Sequence, residues 1–262
     1  MTLDELGVEF PSVADYPKQT FDPGMPQGYR VGCAHAYLRA NSAARRFFVR
    51  RIATAVEMLP DRRFTRALDL GTGAGFYLPV LQRLAGRVCG VDLNPVLELT
   101  GQMLRRKGYD AVAVARSDVM RLPFADGRFD LLFCLSVIEH IEDQAAALAE
   151  FARVLAPGGV LILGYPLQNL AQEAFEGANK LLHRASLFWK LGPRRALARL
   201  EEIRGFAHHH VDDFSQVRRF AEASFEVGET RRVKLLGLTV YELLSLTKPG
   251  RPAAPGLATQ PE

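Results

Sequence analysis

Ala67-Leu68-Asp69-Leu70-Gly71-Thr72-Gly73-Ala74-Gly75-Phe76 runs from an apolar stretch through a carboxylate into three alternating glycines and then into a helical pattern. Glycines between a strand and a helix let the backbone turn sharply and leave room for a ligand against amides that a side chain would cover. In open α/β sheets, ligands sit outside the carboxyl ends of the strands, which is where this loop falls. Three glycines also serve as plain turn chemistry, so the reading depends on what surrounds them.

Outward from this loop, short apolar runs alternate with helical periods, the pattern of a parallel sheet wrapped by helices. Strands are expected at Ala67–Leu70, Val88–Asp92, Ala111–Ala115, Phe129–Leu135 and Val160–Tyr165. Helices are expected between them at Phe76–Leu84, Val96–Lys107 and Glu142–Leu155, the last closed by Pro157, Gly158 and Gly159. A helix at Asp213–Ser224 and strands at Glu226–Lys234 and Thr239–Leu246 complete a seven-stranded, mostly parallel α/β sheet of the doubly wound kind. Before the sheet, His35–Met58 carries apolar residues at helical spacing with arginines between them, one long amphipathic helix. After Tyr165 the alternation lapses, and helical periods at 170–189 and 194–204 describe a helical cap inserted after the fifth strand.

The predicted organisation is an N-terminal tail at 1–27, a helical segment at 28–63, a sheet domain at 64–247 with its cap at 166–207, and a disordered tail at 248–262. The tail assignments rest on scattered prolines and sparse apolar groups. With 48% hydrophobic and 24% charged residues the body of the chain is ordinary globular protein. The longest stretch without a charge, Val154–Gln172, is broken by Pro157, Gly158, Gly159, Gly164 and Pro166, which excludes a spanning helix. Nothing at the N-terminus reads as a signal peptide, so a cytoplasmic setting is expected. Cys33, Cys89 and Cys134 lack zinc or disulfide spacing, and no metal is expected. The net charge of +4 is uneven, with residues 28–66 holding nine Arg against Glu57 and Asp61.

Two further strands end in carboxylates. Asp92 closes Val88-Cys89-Gly90-Val91-Asp92, where a carboxylate can accept both hydroxyls of a ribose; it also suits the entry to a helix before Pro95. Asp118 follows the third strand in Ser117-Asp118-Val119-Met120-Arg121-Leu122-Pro123-Phe124, where a carboxylate beside apolar groups can grip a purine.

The stretches ALDLGTGAGF, VDLNP, SDVMRLPF, FDLLFCLSVIEHI and LAPGGVLILGYP, in this order and spacing, resemble the successive motifs of class I S-adenosylmethionine-dependent methyltransferases. The likeness is to the small-molecule branch that includes ubiquinone and menaquinone biosynthetic enzymes, and it covers roughly residues 64–166. It implies a Rossmann-like fold, S-adenosyl-L-methionine as cofactor, and transfer of a methyl group to a small-molecule, lipid or saccharide acceptor, at oxygen. By that resemblance Asp69 and the loop glycines Gly71, Gly73 and Gly75 hold the methionine part. Asp92 with Leu93 takes the ribose, Asp118 with Val119 the adenine, and Ser136 lies beside the methionine moiety.

Methyl transfer asks little of the protein beyond alignment, because the cofactor brings the leaving group. If a base is used, the resemblance puts His140 near the sulfonium and His210 just before the helix that follows the fifth strand; both also read as structural imidazoles. Glu139 reads as a capping carboxylate. His208, His209 and His210 read first as solvated or structural imidazoles, then as a substrate contact or base, and least as a metal site, since only His208 and His210 share a face of an extended segment. Acceptor choice is expected in the cap, where Phe175, Leu181, Leu182, Phe188 and Trp189 line a pocket or merely cover the sheet, and its basic residues meet an acidic substrate, an anionic membrane surface or solvent. Three rivals remain at this level. A dinucleotide oxidoreductase fits Asp92 but not the glycine spacing. A nucleic-acid methyltransferase fits the local charge but lacks Asn-Pro-Pro-Tyr after the fourth strand, and no nucleic-acid partner is expected. A non-catalytic cofactor-binding protein keeps the same motifs.

Overall fold

The computed structural model describes residues 7–16, 38, 43–167, 216–235 and 237–250. Their strands are β1 (Phe64–Leu70), β2 (Ala85–Asp92), β3 (Val112–Arg116), β4 (Phe129–Leu135), β5 (Leu155–Pro166), β6 (Glu226–Leu235) and β7 (Leu238–Thr247). The helices are α1 (Ala43–Glu57), α2 (Leu78–Leu84), α3 (Leu97–Arg106), α4 (Gln144–Val154) and α5 (Val217–Glu222). The strands form one sheet in the order β3-β2-β1-β4-β5-β7-β6. β1 to β5 are parallel, and β7 runs antiparallel to both neighbours. This is the doubly wound sheet expected, with the strand order reversing between β1 and β4.

Both faces of the sheet are buried, and alternate strand residues serve opposite cores. Ala67, Leu131, Phe133, Val160 and Ile162 pack with Ile52 and Val56 of α1, Leu78 and Leu81 of α2, and Met103 of α3. Their neighbours Leu68, Leu132, Cys134, Leu161 and Leu163 pack on the other face with Leu148 and Phe151 of α4 and Val217 and Ala221 of α5. That division explains why the strands read as unbroken apolar runs.

Among the boundaries that differ from the sequence reading, three have a clear local cause. The helix expected from Phe76 begins at Leu78, because the glycine loop keeps turning through Tyr77 and Pro79 supplies the fixed first turn. The helix expected from Glu142 begins at Gln144, capped by Asp143, whose side chain accepts from Ala146 N at 2.9 Å. Pro157-Gly158-Gly159 does not end that helix; it lies inside β5, which pairs Leu155 with Phe129 before a register shift restores pairing from Val160. The N-terminal residues 7–16 are not a loose tail either. Tyr16 is buried and its hydroxyl donates to Ala74 O, Phe10 stacks on Phe76, and Asp15 pairs with Lys107 at 2.9 Å. At the other end Lys248, assigned to a tail, bonds through its backbone to Gly158 and Gly159. The cap at 168–207, His208 to His210, Cys33 and residues 251–262 lie outside the described residues.

Candidate active site

The loop after β1 is held by its own backbone. Gly71, Gly73 and Gly75 all have positive φ, at 68°, 51° and 71°, a region costly for other residues. Gly71 has a second constraint: a Cβ there would sit 2.3 Å from Val137 Cγ2, so the loop lies directly against the turn that follows β4. Thr72 N donates to Val91 O, and Thr72 Oγ1 donates to Asp69 Oδ2 at 2.6 Å. Asp69 is buried, and burial together with the nearby Asp92 charge raises its pKa to about 7 against the pull of the Thr72 hydrogen bond.

Asp92 ends β2 with both carboxylate oxygens tied to backbone: Oδ2 accepts from Gly73 N and Oδ1 from Asn94 N, each at 2.8 Å. A carboxylate offers about four acceptor sites. These two bonds fix its orientation and leave capacity for a ligand diol. Leu93, beside it, is one of two large apolar side chains exposed among the described residues, at 58%. Arg116 Nε bonds Leu93 O, which locks the ends of β2 and β3 together. Asp118 is exposed, with Oδ1 accepting from Met120 N at 2.9 Å; Val119 and Met120 are half-buried beside it. The sheet thus brings Asp69, Asp92, Leu93, Asp118 and Val119 to one rim of carboxyl ends, as expected from sequence.

Beyond β4 the structure joins Ser136, named from the resemblance, to residues that the sequence reading missed. Ser136 is the only described non-glycine residue with positive φ, at 61°, a conformation that persists where its surroundings over-determine it. Its amide bonds Gly164 O, and its hydroxyl meets Arg51 Nη1 at 2.8 Å and Tyr241 OH at 3.1 Å. Arg51, from α1, is 3% exposed. Its Nη2 donates to Tyr77 OH at 2.6 Å, and its guanidinium lies over the rings of Phe48 and Tyr241 at 4.2 and 4.3 Å from their centroids. Its Nε is buried without a hydrogen-bond partner. An arginine in an amphipathic helix otherwise reads as a solvated charge, and nothing in the one-dimensional pattern sets Arg51 apart from Arg50.

Glu139 and His140 exchange their expected places. They share a 3₁₀ turn, Ile138–His140, in which Glu139 is 2% exposed and His140 faces outward. Glu139 caps nothing, since Asp143 caps α4; its Oε2 is buried without a partner. Burial raises its pKa to about 7, opposed by hydrogen bonds from its own amide and Ser136 and by the charge of Arg51. His210 lies outside the described residues. Burial holds the Cys89 and Cys134 thiols above their usual range, as inert thiols.

A doubly wound sheet in this strand order, with a glycine loop after β1 and carboxylates at the ends of β1 and β2, is a Rossmann-like fold of the kind seen in class I methyltransferases. Residues 68–163 match the family described as methyltransferase domain. The chain is 34% identical over 112 residues to demethylmenaquinone methyltransferase of Thermus thermophilus, covering 42% of this chain and 50% of that protein. It is 31% identical over 98 residues to a ubiquinone biosynthesis O-methyltransferase of Bradyrhizobium, covering 37% and 38%. The chain spans about half or less of the length of the curated relatives it matches. Among solved structures, the N-methyltransferase NodS of Bradyrhizobium japonicum with bound S-adenosyl-L-homocysteine shares the fold, with a TM-score of 0.55, 17% identity, and 80% of this chain and 89% of that one covered.

Proposed function

We propose that the protein is an S-adenosylmethionine-dependent methyltransferase that methylates an oxygen of a small acceptor. The observation that carries this reading is Asp92, fixed by two backbone amides at the end of β2, with acceptor capacity to spare and the exposed Leu93 beside it. It suits a ribose diol next to an apolar base face. The buried guanidinium of Arg51 supports the same cofactor, because its unpartnered Nε fits a carboxylate such as that of the methionine part. When bound, S-adenosylmethionine supplies an activated methyl group on a positively charged sulfur.

In this reading Asp69, Gly71, Gly73, Gly75 and Ser136 line the methionine end, Asp92 and Leu93 the ribose, and Asp118 and Val119 the adenine. Their work is alignment, which supplies on the order of 7 to 11 kcal/mol when the reacting atoms are held at near-attack distance. His140 and His210 enter only if a proton must be handled, and residues 166–207 select the acceptor, including any lipid or saccharide. The O-methyltransferases among the relatives favour oxygen, and free thiols at Cys89 and Cys134 suit a cytoplasmic setting. No helix among the described residues is long and apolar enough to cross a membrane.

Calorimetric titration with S-adenosylmethionine, S-adenosylhomocysteine and NADH tests the proposal. Binding of the first two alone is expected; binding of NADH alone, or of none, overturns it.

A further inference from the structure

We infer that Glu139, rather than His140, is the proton acceptor for the hydroxyl of the methyl acceptor. The inference rests on the methyltransferase reading above. Three observations carry it. A buried carboxylate is ordinarily satisfied on both oxygens, yet Glu139 Oε2 has no partner. The buried cation nearest to it in influence, Arg51, directs its two terminal nitrogens to Ser136 and Tyr77 instead, so among the described residues no ion pair consumes the carboxylate. Finally, the turn carrying Glu139 abuts the glycine loop, since the Cβ that Gly71 lacks would collide with Val137 two residues before Glu139. An unpaired acceptor is therefore held beside the methionine end of the site, behind the strained Ser136.

The ionisable groups that influence it among the described residues are Arg51 from α1, Tyr241 from β7 and Cys134 from β4, with Tyr77 and Asp69 one step further out. Arg51 is the only permanent cation of that set. Burial leaves Glu139 protonated up to about pH 7 in the free protein. A sulfonium bound nearby favours the carboxylate instead.

In the transfer step, the acceptor oxygen forms its bond to the methyl carbon as the carbon–sulfur bond breaks and its electron pair goes to sulfur. The hydroxyl proton passes to Glu139 Oε2. A sulfonium and a carboxylate become a neutral thioether and a carboxylic acid, so opposite charges vanish together and no net charge is created in a poorly hydrated site. The proton then leaves to solvent when the products exchange.

Cofactor binding to the full chain tests this without an acceptor. Below about pH 7 the affinity for S-adenosylmethionine, relative to that for S-adenosylhomocysteine, should fall by up to about tenfold per pH unit, because only the cation requires the ionised carboxylate. Calorimetry in buffers of different ionisation enthalpy should show a proton released by the first ligand and not by the second. Glu139→Gln should abolish this pH dependence. A dependence that persists in Glu139→Gln and disappears in Asp69→Asn or His140→Gln overturns the inference while leaving the cofactor reading intact. Failure of the wild-type chain to bind either ligand overturns both. Should Glu139→Gln not fold, infrared spectra of the wild-type protein labelled with ¹³C-glutamate give the same answer. The band of a protonated glutamic acid should be lost with S-adenosylmethionine and kept with S-adenosylhomocysteine; no such loss overturns the proposal.

Discussion

Arg51 Nη1 lies 2.8 Å from Ser136 Oγ, joining α1 to the turn after β4 across 85 positions of sequence. A helix that lies outside the matched domain thereby supplies a buried cation to the site. Its two terminal nitrogens and two flanking rings fix the guanidinium, so little ordering remains when an anion arrives. Arg51→Met should weaken S-adenosylhomocysteine binding by about 10- to 100-fold, the range of a charge-assisted hydrogen bond to a carboxylate. Arg51→Lys should recover only part of this, since an ammonium cannot reproduce the planar fork. Calorimetry on both variants decides the point, and undiminished affinity in Arg51→Met removes the residue from the site.

Asp92 has two jobs that the sequence does not separate. Its oxygens already hold the amides of Gly73 and Asn94. Asp92→Ala should therefore lose cofactor affinity and also destabilise the fold by about 1 to 3 kcal/mol, because two partly buried donors lose their acceptor. Asp92→Asn, which keeps one carbonyl oxygen, should retain more stability than affinity. Urea unfolding beside ligand titration separates the two effects; an Asp92→Ala protein of wild-type stability would contradict the anchoring role.

The parallel sheet was legible because burial on both faces writes each strand as an apolar run, and the carboxylates could be placed because they end those runs. Leu68 to Leu70 and Val88 to Asp92 needed no tertiary information. The second half of the site was not legible for the opposite reason. Arg51, Tyr77 and Tyr241 come from separate elements, and each has an ordinary explanation alone, while Ser136 was named only through the resemblance. Glu139 and His140 are adjacent, so periodicity could not say which faces inward; that is decided by the 3₁₀ turn and the strained Ser136 before it. Pro157-Gly158-Gly159 misled because it also ends a helix in many chains, whereas here its residues fill an irregularity in β5.

Gly71 is the loop glycine with the least tolerance. Its φ of 68° is unfavourable for any side chain, and Val137 Cγ2 occupies the space of a Cβ at 2.3 Å. Gly71→Ala should cost more than the 1 to 2 kcal/mol or so of a left-handed alanine alone, because Val137 must also move. Gly108, with a φ of 74° and open space around it, carries the conformational cost without the collision. Chemical denaturation of Gly71→Ala and Gly108→Ala should therefore show the larger loss at Gly71; equal losses would mean that Val137 yields freely.

Asp69 and Glu139 make the stability of the fold depend on pH in an unusual direction. Both are raised to about 7 by burial in the folded protein, whereas in the unfolded chain they titrate near ~4. Between those values the folded state binds more protons than the unfolded one, so stability falls as the pH rises. Their contribution is full below about pH 4 and is lost once the pH passes about 7, at up to roughly 1.4 kcal/mol per unit for each group. Glu150, lowered chiefly by the Arg153 hydrogen bond, acts the other way and only at more acid pH, where its ion pair is lost. Urea midpoints should accordingly decline from about pH 5 to pH 7.5. Glu139→Gln should flatten the decline by removing one of the two protons involved, and combining it with Asp69→Asn should remove most of what is left. A wild-type midpoint that climbs across this interval would show that neither carboxyl is protonated in the fold.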